Sequence, residues 1–222
     1  MRDKKKVKKG VILLSGGADS VTTFYWAKKK GYDLTAIIFD YNQRHKKEIK
    51  CAKNIADLNY TKYFLVKGDL SWTKSSLTDM SIKVPSNGKI IKGEIPVTYV
   101  SGRNIVFLSY AFSLAESIGA KYVFIGAHIQ DYSGYPDCRP EFLDKFEETA
   151  NLGLKNKGIK LIAPLISKSK KTIVKMGVEL GVPFEDTWSC YKGMKSPCLT
   201  CDSCRFRIQA FNELGLKDPL LK

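Results

Sequence analysis

Two clusters of residues in this sequence have types and spacings suited to chemistry. The first is Ser15-Gly16-Gly17-Ala18-Asp19-Ser20, which follows the apolar run Val11-Ile12-Leu13-Leu14 and precedes a helical pattern. A helix N-terminus presents unpaired N–H groups and a partial positive charge, and glycines let the backbone close around an anion. Ser15 and Ser20 add hydroxyl donors, and Asp19 or Ser20 is placed to cap the helix. No Gly-Lys-Ser/Thr follows, so this is a phosphate loop of another kind. The second cluster is Cys190, Cys198, Cys201 and Cys204, spaced C-x7-C-x2-C-x2-C. Two C-x2-C steps sharing Cys201 can wrap a tetrahedral metal, with Cys190 closing the shell. Four thiolates suit Zn²⁺, while spacing alone also admits an iron–sulfur cluster or free thiols. A shell of four sulfurs leaves no open coordination position, which points to a structural metal. Cys51 falls in a helical stretch and reads as a small buried residue.

These groups need elements to hold them, and the chain alternates apolar β-type runs with longer helical patterns. Residues 7–15, 34–40, 62–66, 122–126 and 160–163 read as strands. Helices are expected over 19–30, 44–58, 102–118, 141–152 and 168–180, with Gly31 and Gly119 as stops. Such alternation predicts an α/β fold, a Rossmann-like and mostly parallel sheet with helices on both faces. Residues 70–101 read as irregular, with Pro85, Gly93 and Pro96, and a loop of that length suits a lid or substrate loop. After Pro183 the pattern changes to a cysteine-rich module too short to form its own core.

The bulk composition narrows the class. Apolar residues make up 44% of the 222 and charged ones 27%, a globular rather than a disordered balance. No apolar run approaches the roughly 20 residues of a membrane span. The basic start is followed by too short an apolar run for a signal peptide, so a cytoplasmic protein is expected. Lysine and arginine outnumber acids by 37 to 22, for a net charge of +15. That excess fits anionic substrates or nucleic acid. The lysines are scattered, however, and no aromatic-interleaved stripe points to RNA.

The full Ser-Gly-Gly-Ala-Asp-Ser segment between strand and helix resembles the PP-loop of the ATP pyrophosphatases, which split ATP between its α and β phosphates. Three further segments follow strands or open a helix and so converge on the same crevice. They are Asp40-Tyr41-Asn42-Gln43-Arg44-His45, Gly102-Arg103-Asn104 after Tyr99, and Asp131-Tyr132-Ser133-Gly134-Tyr135-Pro136-Asp137-Cys138-Arg139. Together with the four cysteines, they resemble the QueC family of the queuosine and archaeosine pathways over nearly the whole chain. Ala127-His128-Ile129-Gln130 departs from the family pattern and leaves His128 without a family role, so a structural histidine is the default.

The resemblance implies an ATP-dependent carbon–nitrogen ligase with a PP-loop ATP-binding domain over residues 1–182 and a zinc-binding appendage over 183–222, packed as one structural unit. It implies conversion of 7-carboxy-7-deazaguanine and ammonia to the nitrile through adenylated intermediates, with Mg²⁺ bridging the phosphates. Ser15, Gly16, Gly17, Ala18, Asp19 and Ser20 are expected to hold ATP, with Leu14, Val21, Thr22, Thr23 and Phe24 shaping the flanks. Arg103 is expected to steady a phosphate or the substrate carboxylate, Asp131 to accept from the guanine-like edge, and Tyr135 to stack on the base. The resemblance also implies a homodimer, with no direct contact to nucleic acid. Competing readings are a PP-loop enzyme acting on tRNA, a zinc-ribbon nucleic-acid adaptor with a dead nucleotide fold, and a paralogue attaching a deazaguanine to another acceptor.

Overall fold

The computed structural model describes residues 7–87, 94–128 and 134–221. Asp131, the expected partner of the guanine-like edge, lies outside the described residues. Five parallel strands form one sheet: β1 (Lys8–Leu13), β2 (Tyr32–Asp40), β3 (Tyr63–Lys67), β4 (Tyr122–Phe124) and β5 (Lys160–Ile162). Their spatial order is β3-β2-β1-β4-β5. The chain therefore winds outward from β1 through β2 and β3, then returns to lay β4 on the other side of β1. That reversal opens a crevice at the C-terminal ends of β1 and β4, where ligands bind in sheets of this type.

The helices are α1 (Ala18–Lys29), α2 (Lys47–Leu58), α3 (Arg103–Ser117), α4 (Pro140–Gly153), α5 (Lys170–Glu179) and α6 (Asp202–Asn212). Period-two alternation in the strands sends side chains to opposite faces. Ile12 and Leu14 face a core with Val21 and Phe24 of α1, Ala52 of α2, Val174 of α5 and Phe211 of α6. Val11 and Leu13 face a second core with Leu108 and Phe112 of α3 and Leu143 of α4. Both faces of the sheet are thus covered, which is why its strands are near-continuous apolar runs. Among the described residues no helix is long and apolar enough to cross a membrane.

The strands and the first five helices fall within a few residues of the sequence reading. The cysteine-rich tail differs: it contains the 11-residue helix α6, which buries Ala210 and Phe211 against α5 and α1. Its apolar positions are few and its metal ligands dominate the pattern, so periodicity gave no helical signal. Arg207 of α6 anchors the C-terminus through a buried ion pair, with Nε 2.6 Å and Nη2 2.8 Å from the Asp218 carboxylate.

Candidate active site

The loop between β1 and α1 is wired to itself. Ser15 Oγ lies 2.9 Å from Ser20 Oγ, the Ser15 N–H donates to Ser20 Oγ at 3.2 Å, and the Gly17 N–H donates to Ser15 Oγ at 3.3 Å. The N-cap is Gly17, with no side-chain capping bond. The expected capping role therefore does not fall to Asp19 or Ser20, because both side chains have other partners. Ser20 Oγ donates to the Gly17 carbonyl at 3.1 Å. The Asp19 carboxylate receives Lys170 Nζ at 2.6 Å and has His128 Nε2 at 3.5 Å. Burial opposes ionisation of Asp19, yet Lys170 and His128 outweigh it and hold the carboxyl well below its ordinary range.

Two glycines are required by shape. Gly16 has φ +81°, and a Cβ there would stand 2.2 Å from the Glu48 carbonyl oxygen. A Cβ on Gly126, just past β4, would stand 3.0 Å from the Ser20 N–H nitrogen. The loop is thus pressed between the first turn of α2 and the end of β4.

A cleft of about 220 Å³ opens there, lined by Leu14, Ser15, Gly17, Asp19 and Ser20 from the loop. Tyr41, Gln43 and Glu48 line it from the β2–α2 side, Arg103, Asn104 and Phe107 from α3, and Tyr135 and Cys138 from beyond β4. Val21, Thr22, Thr23 and Phe24 do not line it. They are wholly buried beneath the loop, and Thr22 Oγ1 is spent on the Ala18 carbonyl at 2.8 Å. They underpin the loop from the core, because α1 is buried around its whole circumference over these residues.

Arg103 opens α3 and reaches Tyr41 Oη at 3.4 Å. Burial works against its charge, but Tyr41, Asp137 and Tyr135 more than offset this and hold the guanidinium above its ordinary value. Its place is fixed by Asp137, a buried carboxylate that accepts the Asn104 N–H at 2.9 Å at the start of the helix. Tyr135 stacks on Tyr99 with ring centroids 5.8 Å apart, and its hydroxyl lies 2.9 Å from Thr98 Oγ1. Of the segment after β2, Arg44 turns away from the cleft. Its guanidinium donates to the carbonyls of Ser76, Asp79 and Ile82 at 2.7–2.8 Å, stapling the long loop in place.

Sequence reasoning missed Lys170 and Glu48. Lys170 starts α5, about 150 residues from the loop it pairs with, and only the return of α5 against α1 brings them together. Glu48 looks like an ordinary acidic residue of a first helical turn. Nothing in its spacing or type set it apart from other acidic residues of a first turn.

The four cysteines converge as their spacing predicts. All Sγ atoms lie within 4.8 Å of one another, against roughly 3.8 Å for sulfurs around a tetrahedral Zn²⁺. The Cys198 N–H points at Cys190 Sγ and the Cys201 N–H at Cys198 Sγ, each at 3.3 Å. Such amide donors stabilise thiolates, so this donor set can hold a metal ion. The module also walls the cleft, because Trp188, Ser189, Tyr191 and Ser203 line it. Lys47 lies 4.1 Å above the Trp188 ring and donates to the Met194 and Lys195 carbonyls, clamping the module to α2. Cys51 is half-buried and packs against this cluster.

A doubly wound parallel sheet with a Ser-Gly-Gly loop at its switch point and a four-cysteine wall defines a PP-loop enzyme of the ATP pyrophosphatase type. An NMN synthetase from Francisella tularensis has this fold, with a TM-score of 0.52 at 16% identity over 97% of this chain and 77% of that one. A 7-cyano-7-deazaguanine synthase of Clostridium kluyveri is 51% identical over 96% of this chain and 97% of its own. One of Thermoplasma volcanium is also 51% identical, over 96% and 90%. Residues 9–215 match the family "Queuosine biosynthesis protein QueC", and the chain belongs to that family.

Proposed function

We propose that this chain converts 7-carboxy-7-deazaguanine and ammonia into 7-cyano-7-deazaguanine, using ATP and releasing AMP and pyrophosphate. The observation that carries this reading is the meeting of the Ser15–Ser20 loop with Arg103 and Tyr135 in one cleft. Two relatives that are 51% identical over nearly the whole chain bear the name of that synthase.

A carboxylate resists attack by ammonia because oxide is a poor leaving group. Its attack on the α-phosphate of ATP replaces oxide with AMP as the leaving group. The loop amides and the Ser15 and Ser20 hydroxyls hold the departing pyrophosphate, where negative charge develops. Arg103 offers a planar fork that can fix the substrate carboxylate or a phosphate in line. Ammonia displaces AMP to give the amide. A second adenylation, on the amide oxygen, allows loss of AMP to the nitrile. Tyr135 and Tyr99 form an aromatic edge on which a planar bicyclic base stacks, and Asp131 supplies its hydrogen-bond acceptor. The loop over residues 70–101, stapled by Arg44, keeps water from the adenylated species.

Cys190, Cys198, Cys201 and Cys204 hold Zn²⁺, which supplies structure rather than an open coordination position. Mg²⁺ bound with ATP would supply charge neutralisation at the phosphates. The 183–222 module and the α/β body act as one unit, and the enzyme works as a homodimer on small molecules. The test is mass spectrometry of zinc-loaded protein given Mg·ATP, ammonium and 7-carboxy-7-deazaguanine. Nitrile with AMP is expected from the wild type and neither from a Ser15→Ala/Ser20→Ala variant. AMP without nitrile would overturn the reading.

A further inference from the structure

The loop, Arg103 and Tyr135 engage ATP and the base, and none of them receives the nitrogen donor. At neutral pH ammonia is almost wholly ammonium, a cation with no lone pair to attack carbon. The site therefore needs an anion that collects ammonium and removes a proton beside the activated carboxyl. Glu48 lines the cleft. Its backbone abuts the loop so closely that a Cβ on Gly16 would stand 2.2 Å from the Glu48 carbonyl oxygen. Among the described residues no hydrogen bond or ion pair engages the Glu48 carboxylate.

Its surroundings suit a small cation. Arg103 from α3 acts on Glu48 electrostatically without forming an ion pair, Tyr41 lies on the β2–α2 side, and the charge of Cys190 in the four-cysteine module acts in the opposite sense to Arg103. Among the described residues, Cys51 of α2 also lies in its field. Resting on the synthase reading above, we propose that Glu48 is the ammonium-docking carboxylate and the base that frees ammonia for attack. Burial pushes its carboxyl up to about 7, although Arg103 pulls the other way. A base with that value exchanges protons readily at neutral pH.

Glu48 takes one proton from ammonium and becomes neutral. The freed nitrogen lone pair forms the C–N bond while the acyl C–O bond to AMP breaks. The second proton passes from nitrogen to the released AMP phosphate, leaving a neutral amide. Glu48 then returns its proton to solvent.

The test is Glu48→Gln, assayed with ammonium and with hydroxylamine, which is already neutral at neutral pH. ATP–pyrophosphate exchange reports adenylation separately. Expected is a loss of roughly 10²-fold or more in kcat/KM for ammonium, with hydroxamate formation and exchange as in the wild type. Raising the pH toward the ammonium pKa should restore much of the ammonium rate. Equal loss with both amines, an unchanged ammonium rate, or a defect confined to KM for the deazaguanine acid would each overturn the assignment. If the wild type itself forms neither amide nor hydroxamate, the synthase reading falls first and Glu48 with it.

Discussion

The backbone N–H of Trp188 donates to the Gly16 carbonyl at 2.9 Å, so the four-cysteine module is hydrogen-bonded to the phosphate loop itself. The indole Nε1–H turns the other way, to the Cys190 carbonyl at 2.9 Å. One residue thus couples the backbone carbonyl of Cys190, one of the four clustered cysteines, to the second residue of the loop. Loss of the metal should be felt at the nucleotide site.

That coupling gives the first prediction. Cys201→Ser should release bound metal, lower stability by at least about 2 kcal/mol, and so drop Tm by roughly 4–8 °C. ATP affinity should fall in the same variant, and Trp188 fluorescence should shift to the red. Metal analysis, calorimetry and nucleotide titration check it, and metal loss with unchanged ATP binding would break the link.

A second prediction concerns Gly16. Its φ of +81° and the 2.2 Å approach to the Glu48 carbonyl leave no room for a side chain. Gly16→Ala should destabilise by roughly 1–3 kcal/mol. Displacing the loop by even about 1 Å should lower kcat/KM by around 10²-fold. Kinetics beside thermal melts distinguish the two effects.

Asp137 gives a third. It is buried and accepts the Asn104 N–H at the start of the helix that Arg103 opens. Asp137→Leu strands that amide and should cost about 1–3 kcal/mol, while also loosening Arg103. Reduced affinity for the carboxylate substrate is expected, with ATP affinity less affected. Equilibrium binding of each ligand to the variant decides the point.

The fourth turns on Asp19 and Lys170. The Asp19 carboxyl is held below its ordinary value of 3.8 in the folded protein. It therefore adds stability that is fully present above that value and is lost as pH falls toward the folded-state value. Lys170→Met removes the main counter-charge and should cost about 3 kcal/mol at neutral pH. Its acid limb of stability against pH should be flatter than the wild type's, because Asp19 then titrates nearer its ordinary value. Denaturant melts from neutral pH down into the acid range measure both.

Much of this molecule was legible in the residues themselves. Strand and helix periods are local properties, so the alternation over residues 7–180 was readable without any contact. The Ser-Gly-Gly loop and the cysteine spacing are local too, since a backbone turn and a C-x2-C step place their donors within a few residues. Asp19's partners were not legible, because Lys170 arrives from a distant helix and His128 from the end of β4. Nor could the sequence tell that Val21, Thr22, Thr23 and Phe24 sink into the core while Glu48 faces the cleft.

The sequence by itself therefore determined the class of sheet, the phosphate loop and the four-sulfur site, each set by short-range geometry. Only the tertiary structure decided which side chains share the cleft. It folded the cysteine module into a wall against Gly16, swung Arg44 away to the long loop, and left the Glu48 carboxylate in the cleft without a hydrogen-bonding partner among the described residues. The physical reason is that these relationships span the sheet's crossover connections, where packing of both apolar faces fixes distances that spacing along the chain does not encode.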